Sequence, residues 1–119
     1  MNYKNRVQKY LEDMEDLGKA NKNAACDFLG LSLSTLEIRL DEHDTTWYAL
    51  LDKQRKARCA AWVIQHRSHT ADEMAKSYGS ASGESAAKKF KEWFGFPYMA
   101  FKSRPTKYYL DILWKAVDA

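Results

Sequence analysis

Hydrophobic residues recur at intervals of three and four positions along most of the chain, a pattern that predicts amphipathic α-helices. No segment alternates hydrophobic and polar residues as a half-buried β-strand would, so the predicted fold class is all-α. The first helix is predicted over residues 4–17, ending near Gly18. Its hydrophobic positions are Val7, Tyr10, Leu11, Met14 and Leu17, and its outer face carries Glu12, Asp13, Glu15 and Asp16.

A short helix, a glycine and another helix follow. Turn and N-cap chemistry at residues 21–23 precedes the short helix, which carries Ala24, Ala25 and Phe28 inward. Gly30 then turns the chain. Ser32 is the predicted N-cap of the next helix, although Ser34 with Glu37 forms a competing capping box. Leu33, Leu36 and Leu40 are predicted to face inward, whereas Ser34, Thr35, Glu37, Ile38 and Asp41 are predicted to face outward.

The same helix–glycine–helix pattern occurs again near the middle of the second half. Thr70 with Glu73 forms a capping box, so a helix should begin at Ala71 and end at Gly79. The helix after it directs Ala86, Ala87, Phe90, Trp93 and Phe94 inward, and its other side offers Glu84, Ser85, Lys88 and Lys91. An aromatic segment at residues 93–102 follows. Two such helices form the helix-turn-helix shape, whose second helix enters the DNA major groove in many proteins.

A long helix is predicted between the two units. It should begin at Thr45 or Thr46 and end near His66, and a loop should follow at residues 67–69. About twenty helical residues span roughly 30 Å. One turn of B-DNA is about 34 Å, the spacing at which two helix-turn-helix units meet successive major grooves.

A final helix at 106–117, after a stop at Arg104-Pro105, either packs on the second unit or docks another protein. The predicted organisation is a single domain over 1–119, comprising 4–44, the linker helix 45–66, 67–102 and 103–119.

Length and composition are those of an ordinary globular domain of 119 residues. The chain has no apolar run of membrane-spanning length and no signal-peptide pattern, so we expect a cytoplasmic protein with no membrane partner. Cys26 and Cys59 each lie on a hydrophobic side, which favours buried free thiols. His66 and His69 have a metal-compatible spacing but no cluster of other ligands beside them, so neither a metal nor another cofactor is expected.

The formal net charge of +3 is unevenly placed. Residues 61–119 hold nine Lys and Arg against six Asp and Glu. Between Lys88 and Lys107 the basic residues are Lys88, Lys89, Lys91, Lys102, Arg104 and Lys107, against Glu92 alone. A local basic stripe is typical of a surface that contacts phosphates. The alternative is a solvated helix face with no partner.

Two helix-turn-helix units joined by one long helix resemble the DNA-binding domain of the AraC/XylS family of bacterial transcription regulators. The resemblance extends from about Val7 to Lys102. In the first half it rests on Gly30, Ser32, Leu36, Leu40, Thr45, Leu50, Leu51 and Arg55. In the second half it rests on Thr70, Glu73, Met74, Ala75, Gly79, Phe90, Lys91, Gly95, Pro97, Phe101 and Lys102.

The resemblance implies a small stand-alone activator that binds double-stranded DNA as a monomer and contacts RNA polymerase. It also implies which residues meet DNA. The implied base contacts are Ser82, Gly83, Glu84, Ser85 and Lys88 in the second unit, and Ser34, Glu37 and Ile38 in the first. The expected phosphate contacts are Lys89, Lys91, Lys102, Arg104 and Arg39. No effector-binding domain is recognised, so control by protein level or by a partner is expected.

Two departures from the family pattern affect this expectation. Ile38 stands where the family usually has an arginine, and Arg39 lies about 100° around the helix from it. Ser80 replaces the family's usual phenylalanine after the glycine of the second unit. An alternative is therefore a protein-interaction module that binds a polymerase subunit or coregulator through the Ile38 face or the C-terminal helix. An enzyme is not expected, because no nucleophile or acid–base pair is placed together in the pattern.

Overall fold

A computed structural model of the chain describes residues 2–66 and 69–118, and in these ranges the secondary structure is helical with no β-strand. The predicted all-α fold class is confirmed. The α-helices are α1 (Tyr3–Asp13), α2 (Lys22–Leu29), α3 (Leu33–Asp41), α4 (Trp47–Gln65), α5 (Ala71–Tyr78), α6 (Gly83–Phe94), α7 (Tyr98–Ser103) and α8 (Lys107–Asp118), with a 3₁₀ helix at Leu17–Lys19. The interhelix loop predicted at 67–69 lies mostly outside the described residues.

The helix boundaries follow the capping chemistry that the sequence predicts. Thr70 and Glu73 form the complete capping box of α5, and Gly79 ends that helix in the left-handed conformation, with φ of 81°. In α3 the Ser32 side chain accepts a hydrogen bond from the backbone N–H of Thr35, so Ser32 rather than Ser34 is the N-cap. Each side chain satisfies a backbone donor that the first helical turn leaves unpaired.

Two features of the local structure differ from the sequence prediction. Helix α1 ends at Asp13 instead of residue 17, because the chain becomes extended at Met14 and Asp16 caps the short 3₁₀ helix by accepting from the N–H of Gly18. The aromatic segment contains α7, which the pattern did not predict. Pro97 precedes α7 with φ of −69°, and Tyr98 and Phe101 are both buried at helical spacing.

Some hydrophobic residues that the periodicity directs inward are exposed. Phe28 is 72% exposed and its ring contacts Tyr10 at 5.2 Å between centroids, outside the buried core. Leu33 is 43% exposed at the first position of α3, and Ala24 is also exposed, on α2. The hydrophobic face of a helix is wider than the area that a neighbouring helix covers. Residues at the edge of that face therefore stay in contact with water.

The chain divides into two compact units, Met1–Gln54 and Arg55–Ala119. Each has its own hydrophobic core, and α4 contributes to both. The first core contains Val7, Leu11, Leu17, Ala25, Leu36, Leu40, Trp47, Leu50 and Leu51. The second contains Cys59, Val63, Met74, Tyr78, Phe90, Phe94, Phe96, Tyr98, Phe101 and Leu113. The predicted long helix is thus present as α4, whose 19 residues correspond to a length of about 28 Å.

Both cysteines are free and buried, as the sequence predicts. Burial raises the pKa of the Cys59 thiol to about 12, which keeps it in the unreactive protonated form. The described residues contain no group of His, Cys, Asp and Glu side chains that could hold a metal ion. None of the helices in the described ranges has the length and hydrophobicity needed to span a membrane.

Candidate nucleic-acid interface

The second helix-turn-helix unit consists of α5, a turn at residues 79–82 and α6. Ser80 closes the turn, since its N–H donates to the carbonyl oxygen of Ala75 at 2.9 Å. Ser82 is the N-cap of α6, and its Oγ accepts from the N–H of Ser85 at 3.1 Å. The hydroxyl of Ser80, which stands where the family usually has phenylalanine, donates to the carbonyl oxygen of Ser82 at 3.4 Å, so hydrogen bonds hold the turn.

Gly83 fixes α6 against the beginning of α5. Its N–H donates to Asp72 Oδ1 at 3.0 Å, and the glycine is buried. A Cβ at this position would lie 2.3 Å from Asp72 Oδ1, 2.8 Å from the Asp72 backbone nitrogen and 3.0 Å from the Ala71 carbonyl carbon. Only glycine allows so close an approach. Gly83 therefore positions the helix, and its burial removes it from the set of residues available to touch a base.

The buried side of α6 fixes the orientation of the helix, so its opposite side faces the solvent. Ala86, Phe90 and Phe94 are in the core, with Phe90 completely buried. The four residues of α6 that lie within about 60° of Lys88 around the helix axis are all exposed. They are Glu84, Ser85, Lys91 and Glu92, and Lys88 itself is exposed. The structure thus brings Glu84, Ser85 and Lys88 together with Lys91 on one outward surface.

Lys88 and Lys91 border a shallow apolar groove of about 400 Å³. The other residues that line it are Ala71, Ala87, Glu92, Pro97, Tyr98 and Met99. Met99 is 62% exposed, although the sequence pattern had not distinguished it from the rest of the aromatic segment. Within residues 2–66 and 69–118, neither Lys88 nor Lys91 forms an ion pair with a carboxylate. Both ammonium groups are therefore available to an anionic partner.

The remaining basic residues of the predicted stripe differ in exposure and in their contacts. Lys89 lies about 100° around α6 from Lys88, and its Nζ is 3.6 Å from Glu92 and 5.4 Å from the centre of the Trp93 ring. Lys102 is half-buried in the last turn of α7, and Arg104 is exposed at the C-cap of that helix. The structure thus separates Lys89 from the Lys88 and Lys91 pair.

Hydrogen bonds from outside the unit's two helices also hold α5 in place. The Tyr98 hydroxyl donates to the carbonyl oxygen of His69 at 3.0 Å, and burial raises the pKa of that hydroxyl, so it remains a donor. His69 contacts Glu73, and this hydrogen bond, followed by those from Thr70, lowers the pKa of the Glu73 carboxyl. The link from Tyr98 joins residues far apart in the chain, and no local sequence pattern could have indicated it.

In the first unit, the second helix α3 has a different surface. Ser34, Glu37 and Ile38 are exposed, as predicted, and Ile38 is 60% exposed. Glu37 forms an ion pair with Lys22 at 3.2 Å. The Arg39 guanidinium pairs with Glu42 at 3.1 Å, at the end of its own helix. The cation predicted to contact a phosphate here is thus already paired with a carboxylate.

No protein-family model and no curated protein sequence matches the chain. A comparison of structures does find a similar protein. It is the crystal structure of a DNA-binding transcriptional dual regulator from Escherichia coli K-12, with a TM-score of 0.76 and 21% sequence identity. The similarity covers 87% of this chain and 92% of that chain. The two proteins therefore share a fold across nearly their whole lengths.

Proposed function

We propose that the chain binds double-stranded DNA sequence-specifically through α6 and regulates transcription. The observation that carries this proposal is the outward face of α6, where Lys88 and Lys91 lie without a carboxylate partner among the described residues. The Gly83–Asp72 contact holds the first turn of that helix in place. A rigid helix with an exposed polar N-terminal half is the element that helix-turn-helix proteins insert into the major groove. The function named for the structurally similar E. coli protein supports the same interpretation.

The polar and basic residues of the second unit divide into two roles. Glu84, Ser85 and Lys88 occupy its first two turns, with Ser82 at the N-cap. Lysine can donate to the O6 and N7 atoms of guanine, glutamate can accept from the cytosine amino group, and serine can bond to several bases. Lys91, Lys102 and Arg104 would contact phosphates, which orient the protein without reading sequence. Lys89 is a weaker candidate, because Glu92 and Trp93 already engage its ammonium group.

The AraC/XylS resemblance supports a more specific version of the proposal. In that version the chain is a cytoplasmic transcription activator that binds an asymmetric site as a monomer and contacts RNA polymerase. It acts without a cofactor and without catalysis. Helix α3 is not assigned to DNA in this proposal, since Arg39 is paired with Glu42 and the position of the family arginine is Ile38.

Changing Lys88 to alanine should relax sequence preference. We expect affinity for the best site to fall by about 1–3 kcal/mol, with a much smaller loss on unrelated DNA, because a base contact discriminates between sequences. The measurement is a titration of the variant with the best duplex and with single-base variants of it. Lys89→Ala is the matched control, since it removes the same charge one residue away and should preserve sequence preference. An equal loss on all duplexes with Lys88→Ala would remove Lys88 from the base-reading role.

A further inference from the structure

A groove in the first unit combines exposed hydrophobic side chains with excess negative charge. It lies between α3 and the beginning of α4 and has a volume of about 660 Å³. Ile38 and Tyr48 border it and are 60% and 68% exposed, while Leu40 and Trp47 form its buried lining. Large hydrophobic side chains around a concave surface are typical of sites that bind another molecule.

The charged groups around the groove are mostly carboxylates. Glu37, Asp41 and Glu42 line it, and Lys22 is the cation among its lining residues. The Lys22 side chain is only 23% exposed, its Nζ lies 3.2 Å from Glu37, and it stands 5.0 Å from the centre of the Tyr48 ring. Lys22 and Glu37 therefore neutralise each other, and Glu42 is likewise paired with Arg39, which does not line the groove. Asp41 is exposed and forms no ion pair within the described ranges.

This charge distribution determines which kind of partner fits. A DNA phosphate brought to the groove would be repelled by the unpaired Asp41 carboxylate, which costs free energy instead of releasing it. Lysine or arginine side chains of a partner would instead be attracted to this carboxylate, which favours binding. The exposed Ile38 and Tyr48 side chains supply hydrophobic area that the partner would remove from water.

We propose that this groove binds a segment of a partner protein that carries a hydrophobic side chain flanked by lysine or arginine. The hydrophobic side chain would pack between Ile38 and Tyr48, and a flanking cation would pair with Asp41. The proposal does not depend on DNA binding by α6. It assigns α3 to a protein partner, whereas a second helix of this motif ordinarily enters the major groove.

A library of random twelve-residue peptides displayed on phage tests this assignment on the full chain. We expect the selected peptides to combine Leu, Ile, Phe or Trp with Lys or Arg. Synthetic versions of them should bind roughly tenfold or more weakly to Ile38→Ser and to Asp41→Lys, as expected of residues central to an interface. The matched controls are Leu33→Ser, which changes an exposed hydrophobic residue of α3 outside the groove, and Asp111→Lys, which makes the same charge change on α8. Circular dichroism establishes that each variant is folded.

Three results would overturn the proposal. The first is enrichment of acidic peptides or no enrichment, and the second is peptide binding that both groove variants leave unchanged. The third is evidence that the groove binds DNA or a second copy of the chain. A weaker affinity of Ile38→Ser for the best DNA duplex would assign the face to DNA. A dimer in sedimentation that Ile38→Ser dissociates would assign it to a second copy of the chain.

Discussion

Replacing Gly83 with alanine should destabilise the second unit by about 2–3 kcal/mol. A Cβ would lie 2.8 Å from the Asp72 backbone nitrogen and 3.0 Å from the Ala71 carbonyl carbon, and neither atom can move unless α5 and α6 separate. Overpacking of this kind costs about 1–3 kcal/mol, and the hydrogen bond to Asp72 adds about 1 kcal/mol when it is lost. The higher helix propensity of alanine offsets up to about 1 kcal/mol of this destabilisation.

Urea unfolding followed by circular dichroism measures this change. Ser85→Ala is the matched control, because it alters an exposed residue of the same helical turn and should shift the unfolding free energy by no more than about 0.5 kcal/mol. Gly83→Ala combined with Asp72→Ala removes the 2.3 Å contact with Oδ1 but keeps both backbone contacts. The double variant should therefore remain destabilised. Recovery of wild-type stability in it would show that the side chain alone, and not the helix packing, excludes a larger residue.

Removing the three cations proposed to contact phosphates should reduce DNA affinity by about two orders of magnitude at 0.15 M salt. The change is Lys91→Ala, Lys102→Ala and Arg104→Ala together. Each neutralised phosphate contributes about −0.9 to the slope of log affinity against log salt, so the slope should become shallower by about 2.7. Sequence preference should be preserved, since phosphate contacts carry no direct sequence information. Titrations of one duplex over a salt series provide both quantities.

A charge-matched control separates local contacts from net charge. Lys9, Lys19 and Lys53 are exposed lysines of the first unit, and their replacement by alanine changes the net charge by the same amount. Affinity should fall much less in this control. If both triple variants lost affinity and slope equally, the effect would belong to the overall charge, and the assignment of Lys91, Lys102 and Arg104 as contacts would be wrong.

Local chemistry explains which parts of the fold could be predicted. The capping box of Thr70 and Glu73, the N-cap at Ser32 and the left-handed glycines at 30 and 79 depend on residues within one helical turn of each other. Such signals are visible in the sequence. Helix α7 was not predicted, because its six residues contain only two buried aromatic side chains, Tyr98 and Phe101, which are too few to establish a helical period.

The candidate site was predictable only in part. The spacing of Glu84, Ser85, Lys88 and Lys91 indicates a shared helix face, and the structure places all four on one. The sequence could not show that Gly83 is buried against Asp72, because this contact joins two helices. It also could not distinguish Lys88 from Lys89. Whether a lysine is available depends on which carboxylate or ring its flexible side chain reaches.

The most direct test of DNA reading by α6 is selection of bound duplexes from a random DNA pool. We predict one enriched, asymmetric motif with a single short conserved patch, whose specificity is lost in Lys88→Ala. Two conserved patches about ten base pairs apart would keep DNA binding but would place α3 on DNA, against the docking proposal. No enrichment, together with weak binding that depends little on salt, would contradict the proposed function.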